Sequence, residues 1–147
     1  MPGRVNGFSL VEVLVATSIL ITVLVGVAHL SITTARANHL ARLSTQSSIF
    51  AASKMEELLA RQWSDLQATP GGTLDDSQNG YSDYVDRTGR VLPSSANASH
   101  VRRWAITSVT GTVIALEVVV EPWPDEEHGR SSAGAAYLTT MRGRVSP

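Results

Sequence analysis

The sequence predicts an α+β fold in which one long N-terminal helix packs on a small antiparallel β-sheet. Residues 13–32 carry no formally charged side chain, and about 20 such residues are long enough as a helix to cross the hydrocarbon core of a bilayer. Apolar residues then recur at helical spacing up to Pro70-Gly71-Gly72, which stops a helix. Beyond residue 100, runs of alternating apolar and polar residues indicate β-strands.

Length and composition exclude several classes of protein. The chain has 147 residues, a formal net charge of −1 and no cysteine. This length accommodates one modest globular domain plus an appendage. Because the charge is nearly balanced and no basic patch is present, we expect no nucleic-acid partner. The lack of cysteine excludes disulfides and thiolate metal sites.

The apolar segment carries one carboxylate, Glu12, near its start. An acid in hydrocarbon is costly unless another group pairs with it. A secretory signal peptide fits poorly, because Arg4 is the only basic residue before the apolar run, the run is long and no small-residue cleavage site follows. A plain signal anchor explains the membrane span but leaves Glu12 unexplained.

The hexapeptide GFSLVE, from Gly7 to Glu12, resembles the class III signal of type IV prepilins and pseudopilins, G-F-[ST]-L-x-E. The resemblance implies that prepilin peptidase removes residues 1–7 as a leader by cutting after Gly7, and that the new amine of Phe8 is methylated. It also implies a type IV pilin-like fold. A neighbouring subunit's Glu12 would pair with the Phe8 ammonium, and because an unpaired buried charge is strongly disfavoured, this pair would set the assembly register. The alternative is that Glu12 reaches the lipid headgroups near the helix end.

Four segments follow the predicted leader. They are a transmembrane and assembly helix (8–32), its amphipathic continuation (33–69), a loop-rich connection (70–100) and an antiparallel sheet (101–147). We expect one helix from Phe8 to about Ala68. Its predicted apolar stripe comprises Leu40, Leu43, Ser47, Ala51, Met55, Leu58, Leu59, Gln62 and Leu66. The charged residues, including Lys54, are expected mostly to lie off this stripe.

The C-terminal part is expected to form a three- or four-stranded antiparallel meander that covers the stripe with one face. The alternating run 101–109 and the β-rich run 113–123 flank a tight turn. A polar loop (124–135) then leads to a last strand at 136–145. A further short strand is expected near Tyr84-Val85.

We find no catalytic constellation and do not expect an enzyme. The four histidines lack the spacing of metal ligands, and no nucleophile or phosphate-binding motif is present. We expect no cofactor, with calcium as a weak alternative: an EF-hand-like spacing occurs in a turn-rich loop. Its ligand positions fall on Asp75, Ser77, Asn79, Asp83 and Asp86.

The resemblance implies a structural subunit of a type IV pilus or a type II secretion pseudopilus. The expected location is the bacterial inner membrane in a single pass, with the C-terminal domain periplasmic and later part of the filament. Its partners would be prepilin peptidase and other pilins or pseudopilins through the N-terminal helix. A minor subunit is favoured because no proline lies between Pro2 and Pro70, and because "AASKMEELLARQW" resembles minor pilins and type IV pilus modification proteins. The alternative is a membrane-anchored periplasmic binding module that does not polymerise.

Overall fold

A computed structural model describes residues 9–123 and 133–144. Within these residues the chain forms two helices and five strands, which are α1 (Leu10–Ala60), α2 (Trp63–Ala68), β1 (Ser82–Val85), β2 (Val91–Leu92), β3 (His100–Thr110), β4 (Val113–Pro122) and β5 (Ala136–Gly143). The chain divides into two compact units, Met1–His39 and Leu40–Pro147. The fold is α+β, as the sequence predicts.

The described part of the first unit is helical throughout from Leu10. Near its N-terminus, α1 contains an 18-residue stretch long and apolar enough to cross a membrane, and none of that stretch is buried. Its hydroxyl groups donate to backbone carbonyls one turn earlier, for example Thr17 Oγ1 to Val13 O at 2.8 Å and Thr22 Oγ1 to Ser18 O at 2.9 Å. These polar groups are therefore satisfied within the helix, as an apolar environment requires.

In the second unit, a five-stranded antiparallel sheet has the order β2-β1-β3-β4-β5. The prediction of three or four strands is one short, because the sequence does not predict β2. The four predicted strands, β1, β3, β4 and β5, are antiparallel neighbours in the predicted order, and β2 is added at the edge beside β1. The strand expected near Tyr84-Val85 is β1, and the last expected strand is β5. β2 has only two residues, which is too short for an alternating pattern to stand out from turn residues.

The core lies between the C-terminal part of α1 and one face of the sheet. Ser47, Ala51 and Leu58 of α1 are fully buried. The apolar cluster also contains Phe50 and Met55 of α1, together with residues of β1, β3 and β4. The sheet residues of this cluster are Val85, Trp104, Ile106, Ile114, Leu116, Val118 and Val120. Helix residues three or four apart thus meet alternate strand residues. For this reason the apolar residues recur at helical spacing in α1 and at every second position in the strands.

The helix is interrupted where the sequence predicts it to continue. α1 ends at Ala60, and Gln62 has an extended backbone, with φ −66° and ψ 148°, before α2 begins. Arg142 of β5 donates from Nη1 to the carbonyls of Leu59 and Arg61, at 2.9 and 2.7 Å. These contacts satisfy carbonyl groups that the end of a helix leaves unpaired. The predicted stop before Pro70 is confirmed, because α2 ends at Ala68.

Some side chains on α1 also depart from the predicted stripe. Leu40 and Leu59 are 47% and 39% exposed although the pattern places them on the buried face. Lys54 is only 4% exposed although the pattern places charged residues outside. The second difference arises because Lys54 meets charged and aromatic groups of the sheet, which a helical pattern alone does not show.

Candidate functional site

The first turn of α1 is organised by Ser9, which precedes the helix and caps it. The backbone N–H of Glu12 donates to Ser9 Oγ at 3.2 Å, and the N–H of Val13 donates to Ser9 O at 3.2 Å. A serine followed three residues later by a glutamate is the spacing of a capping box. Ser9 therefore fixes the start of the helix at Leu10, three residues after the predicted scissile glycine. Gly7 and Phe8, the predicted cleavage and methylation positions, lie outside the described residues.

Glu12, the predicted register residue, is exposed on the first turn of α1. Within residues 9–123 and 133–144 its carboxylate makes no hydrogen bond or ion pair. A carboxylate in the first turn is favoured by the helix dipole, so Glu12 suits this position for a local reason as well. Sequence reasoning missed this role of Ser9 and Glu12, although the Ser-x-x-Glu spacing ahead of an apolar run is its signal.

The surface around Glu12 is apolar on all sides of the helix. Leu14, Leu20 and Leu24 are each more than half exposed, and the neighbouring residues are similar. A continuous apolar surface of this size is typical of a segment that lies in lipid or against other apolar helices.

Comparison with protein-family models, with curated proteins and with solved structures found no match. The architecture is nevertheless pilin-like. An apolar N-terminal helix continues into a segment that packs on an antiparallel β-sheet, and this arrangement is the coarse feature that the sequence resemblance implies.

The structure does not bring the weak calcium candidates together as a set of free ligands. Asp83 lies on β1 and accepts from Arg102 Nε and Nη2 at 2.6 and 2.7 Å. Ser77 Oγ accepts from Arg103 Nε at 3.2 Å. Within the part of the chain that the structure describes, no three histidine or acidic side chains are close enough to hold a metal ion.

The carboxylate of Asp86 is also engaged in structural hydrogen bonds. Its Oδ1 accepts from the side chain and the N–H of Thr88, at 2.6 and 2.8 Å, and from the N–H of Arg90 at 3.1 Å. The hydrogen bonds from Thr88 lower the pKa of Asp86, because they stabilise its charged form. These bonds close the turn between β1 and β2. The two other candidates, Asp75 and Asn79, are exposed.

A buried charge cluster joins α1 to the sheet. Asp83 pairs with both Arg102 and Lys54, whose Nζ lies 3.4 Å from Asp83 Oδ2 and 2.9 Å from Glu57 Oε1. The same Nζ lies 3.8 Å from the ring centroid of Trp104. Arg102 and Lys54 are each 4% exposed. This geometry accounts for the charges through mutual neutralisation within the core, so the cluster is structural.

Proposed function

We propose that this chain is a structural subunit, a minor pilin or pseudopilin, of a type IV pilus or a type II secretion pseudopilus. It would be inserted in the inner membrane, cleaved after Gly7, methylated on Phe8 and then incorporated into the filament through α1. The observation that carries the proposal is an unburied apolar helix that starts at Leu10, within the motif Gly7–Glu12, and bears one carboxylate in its first turn.

A carboxylate among apolar helices is costly unless a cation pairs with it. In an apolar bundle, the exposed carboxylate of Glu12 needs a cation, and removal of its partner is strongly destabilising. Cleavage after Gly7 would create an ammonium on Phe8 of each subunit. A wrong axial offset between neighbouring helices would separate the Glu12 carboxylate from the Phe8 ammonium. The pair would therefore select one register, although it would add little net stability.

The test is a charge-removing substitution that keeps the side-chain size, Glu12→Gln, compared with Glu56→Gln as a matched control. Glu56 is an exposed acid on α1 within the second unit. We expect the Glu12 variant to insert in the membrane and to be cleaved normally, while its recovery in sheared filaments or pseudopili falls by more than about tenfold, as loss of a register-setting pair predicts. The control should assemble like the wild type.

The same experiment separates the proposal from a membrane-anchored module that does not polymerise. Such a module needs the apolar span and the domain, both of which the Glu12 variant retains. Equal behaviour of the wild type and both variants in filament recovery would contradict the proposed assembly role and support the anchored module.

A further inference from the structure

A cleft in the second unit has its described lining in that unit alone, whereas the proposed assembly uses the apolar first part of α1. It lies between the α1 residues Leu43 and Gln46, the β1–β2 turn, the segment that leads into β3 and the end of β4. Its volume is about 670 Å³. Sites that hold small molecules typically have volumes of about 300–1,000 Å³, so the cleft is large enough for a ligand of one or two rings.

The apolar part of its lining is built around one indole ring. Trp123, at the end of β4, is half-buried and lies beside Pro122. Its ring makes an edge-to-face contact with Tyr84, with centroids 5.3 Å apart and planes inclined at 64°. This contact orients the indole, so a flat apolar ligand face can pack on it without first ordering the side chain.

The polar part of the lining includes three neutral groups. Asn97 and Gln46 contribute amides, which both donate and accept, and Thr88 contributes a hydroxyl oxygen that can accept, because its O–H donates to Asp86 Oδ1. Asn97 has φ +62°, which is uncommon for a residue other than glycine. The turn bond from the N–H of Ala98 to Ser95 O holds this conformation.

The charges on the lining do not favour a charged ligand. Asp86 and Arg87 have opposite signs, and Asp86 Oδ1 already accepts from Thr88 and from the N–H of Arg90. A strongly anionic or cationic ligand would therefore meet little net attraction. The lining suits a neutral ligand that combines an apolar face with several hydroxyl groups.

His100 adds a hydrogen-bond acceptor that lacks a donor. Ser99 Oγ donates to Val85 O at 3.2 Å, so Nδ1 of His100 donates to Ser99 Oγ at 2.9 Å and Nε2 is left as the acceptor. Nε2 is buried without a partner among the described residues, and His100 lines the cleft. A small side-chain displacement on binding, which is common at binding sites, would let a ligand hydroxyl supply the missing donor.

We propose that this cleft binds a neutral saccharide. The C–H face of a sugar ring would pack on Trp123, and its hydroxyls would exchange hydrogen bonds with Asn97 and Gln46. The site is independent of the proposed filament role, since it uses no residue of the first unit.

The test uses the full chain in a detergent without a sugar headgroup, because such headgroups would compete. Chitobiose and maltose are the two probes. Their binding is measured by saturation-transfer NMR and by tryptophan fluorescence. We expect saturable binding of at least one probe. Trp123→Ala should abolish it, and Asn97→Gly, which relieves the positive φ, should weaken it about five- to tenfold, the loss of one or two net hydrogen bonds. Trp63→Ala, which alters a half-buried indole on α2, should leave binding unchanged.

Far-UV circular dichroism of each variant identifies any loss of folding. The NMR experiment on the wild-type protein tests the proposal even if a variant fails to fold. Absence of saturable signal for both probes on the wild type would overturn the proposal. Equal binding by the wild type and a folded Trp123→Ala variant would also overturn it, since the sugar would then lie elsewhere.

Discussion

At the scale of single residues, Lys54 shows what a helical pattern leaves out. The sequence places it off the apolar stripe of α1, yet its Nζ lies over Trp104 and beside Asp83. Asp83 is 29 positions away in the chain, and the contact depends on the pairing of β1 with β3. Burial of this lysine therefore could not be predicted from its own helix, because its partners come from elements whose arrangement the sequence leaves open.

The charge cluster predicts an asymmetry between two substitutions. Asp83→Ala removes the carboxylate that Arg102 and Lys54 share, and it should lower the free energy of unfolding by about 3–5 kcal/mol because a buried cation is left unpaired. Lys54→Met leaves the Asp83–Arg102 pair intact and should cost less than about 1.5 kcal/mol. Urea unfolding followed by tryptophan fluorescence measures both. Equal losses would show that the pairs do not have the roles assigned to them.

His100 makes the stability of the second unit depend on pH. Burial lowers its pKa, because the charged ring is poorly solvated, and the ring packs against Phe50 with centroids 5.0 Å apart. The unfolded chain binds a proton below about pH 6.5, while the folded protein does not until a lower pH. The stabilising contribution is therefore complete above about pH 6.5 and is lost as the pH falls below it.

The expected result is a free energy of unfolding that decreases between pH 7 and pH 5, with a smaller decrease in His100→Phe. Most surface carboxylates remain ionised over this interval, so the difference between the two proteins reports on the histidine. Parallel pH profiles of the wild type and the variant would assign the pH dependence to other groups.

At the scale of elements, the long helix and the strands β1, β3, β4 and β5 could be predicted, while the break after Ala60 and the hairpin that adds β2 to β1 could not. The charge-free first part of α1, the helical spacing of apolar residues in its second part and the alternation over 8–11 residues of β3–β5 each give a strong signal. The break has no glycine or proline, and it is stabilised by Arg142 from a strand more than 80 positions away. The hairpin is held by one aspartate side chain, which a turn-rich composition does not single out.

The contact between β5 and the end of α1 predicts a specific loss. Arg142→Ala removes two charge-assisted hydrogen bonds to the carbonyls of Leu59 and Arg61 at the end of α1. It should lower the free energy of unfolding by about 1–2 kcal/mol, because the arginine is only partly shielded from solvent. Arg144→Ala is the control, because Arg144 is an exposed arginine just beyond the same strand. Urea unfolding measures both variants, and equal effects would mean that the contact with α1 does not stabilise the fold.

At the scale of the whole molecule, the chain combines two units with opposite surface requirements. The described part of the first unit exposes its apolar side chains, while the second unit buries an apolar cluster between a helix and a sheet. The sequence predicts these two units because the charge-free run 13–32 differs in composition from the alternating apolar and polar residues beyond residue 100. The predicted site is described from Ser9 onward, so its capping geometry is defined, whereas cleavage and methylation remain predictions.

The most direct measurement of the central claim is the mass of the N-terminal peptide of the chain purified from cells that contain prepilin peptidase. If the chain is a pilin-type subunit, the peptide begins at Phe8 and carries one additional methyl group on its amine. A peptide that retains residues 1–7 in such cells would contradict the account.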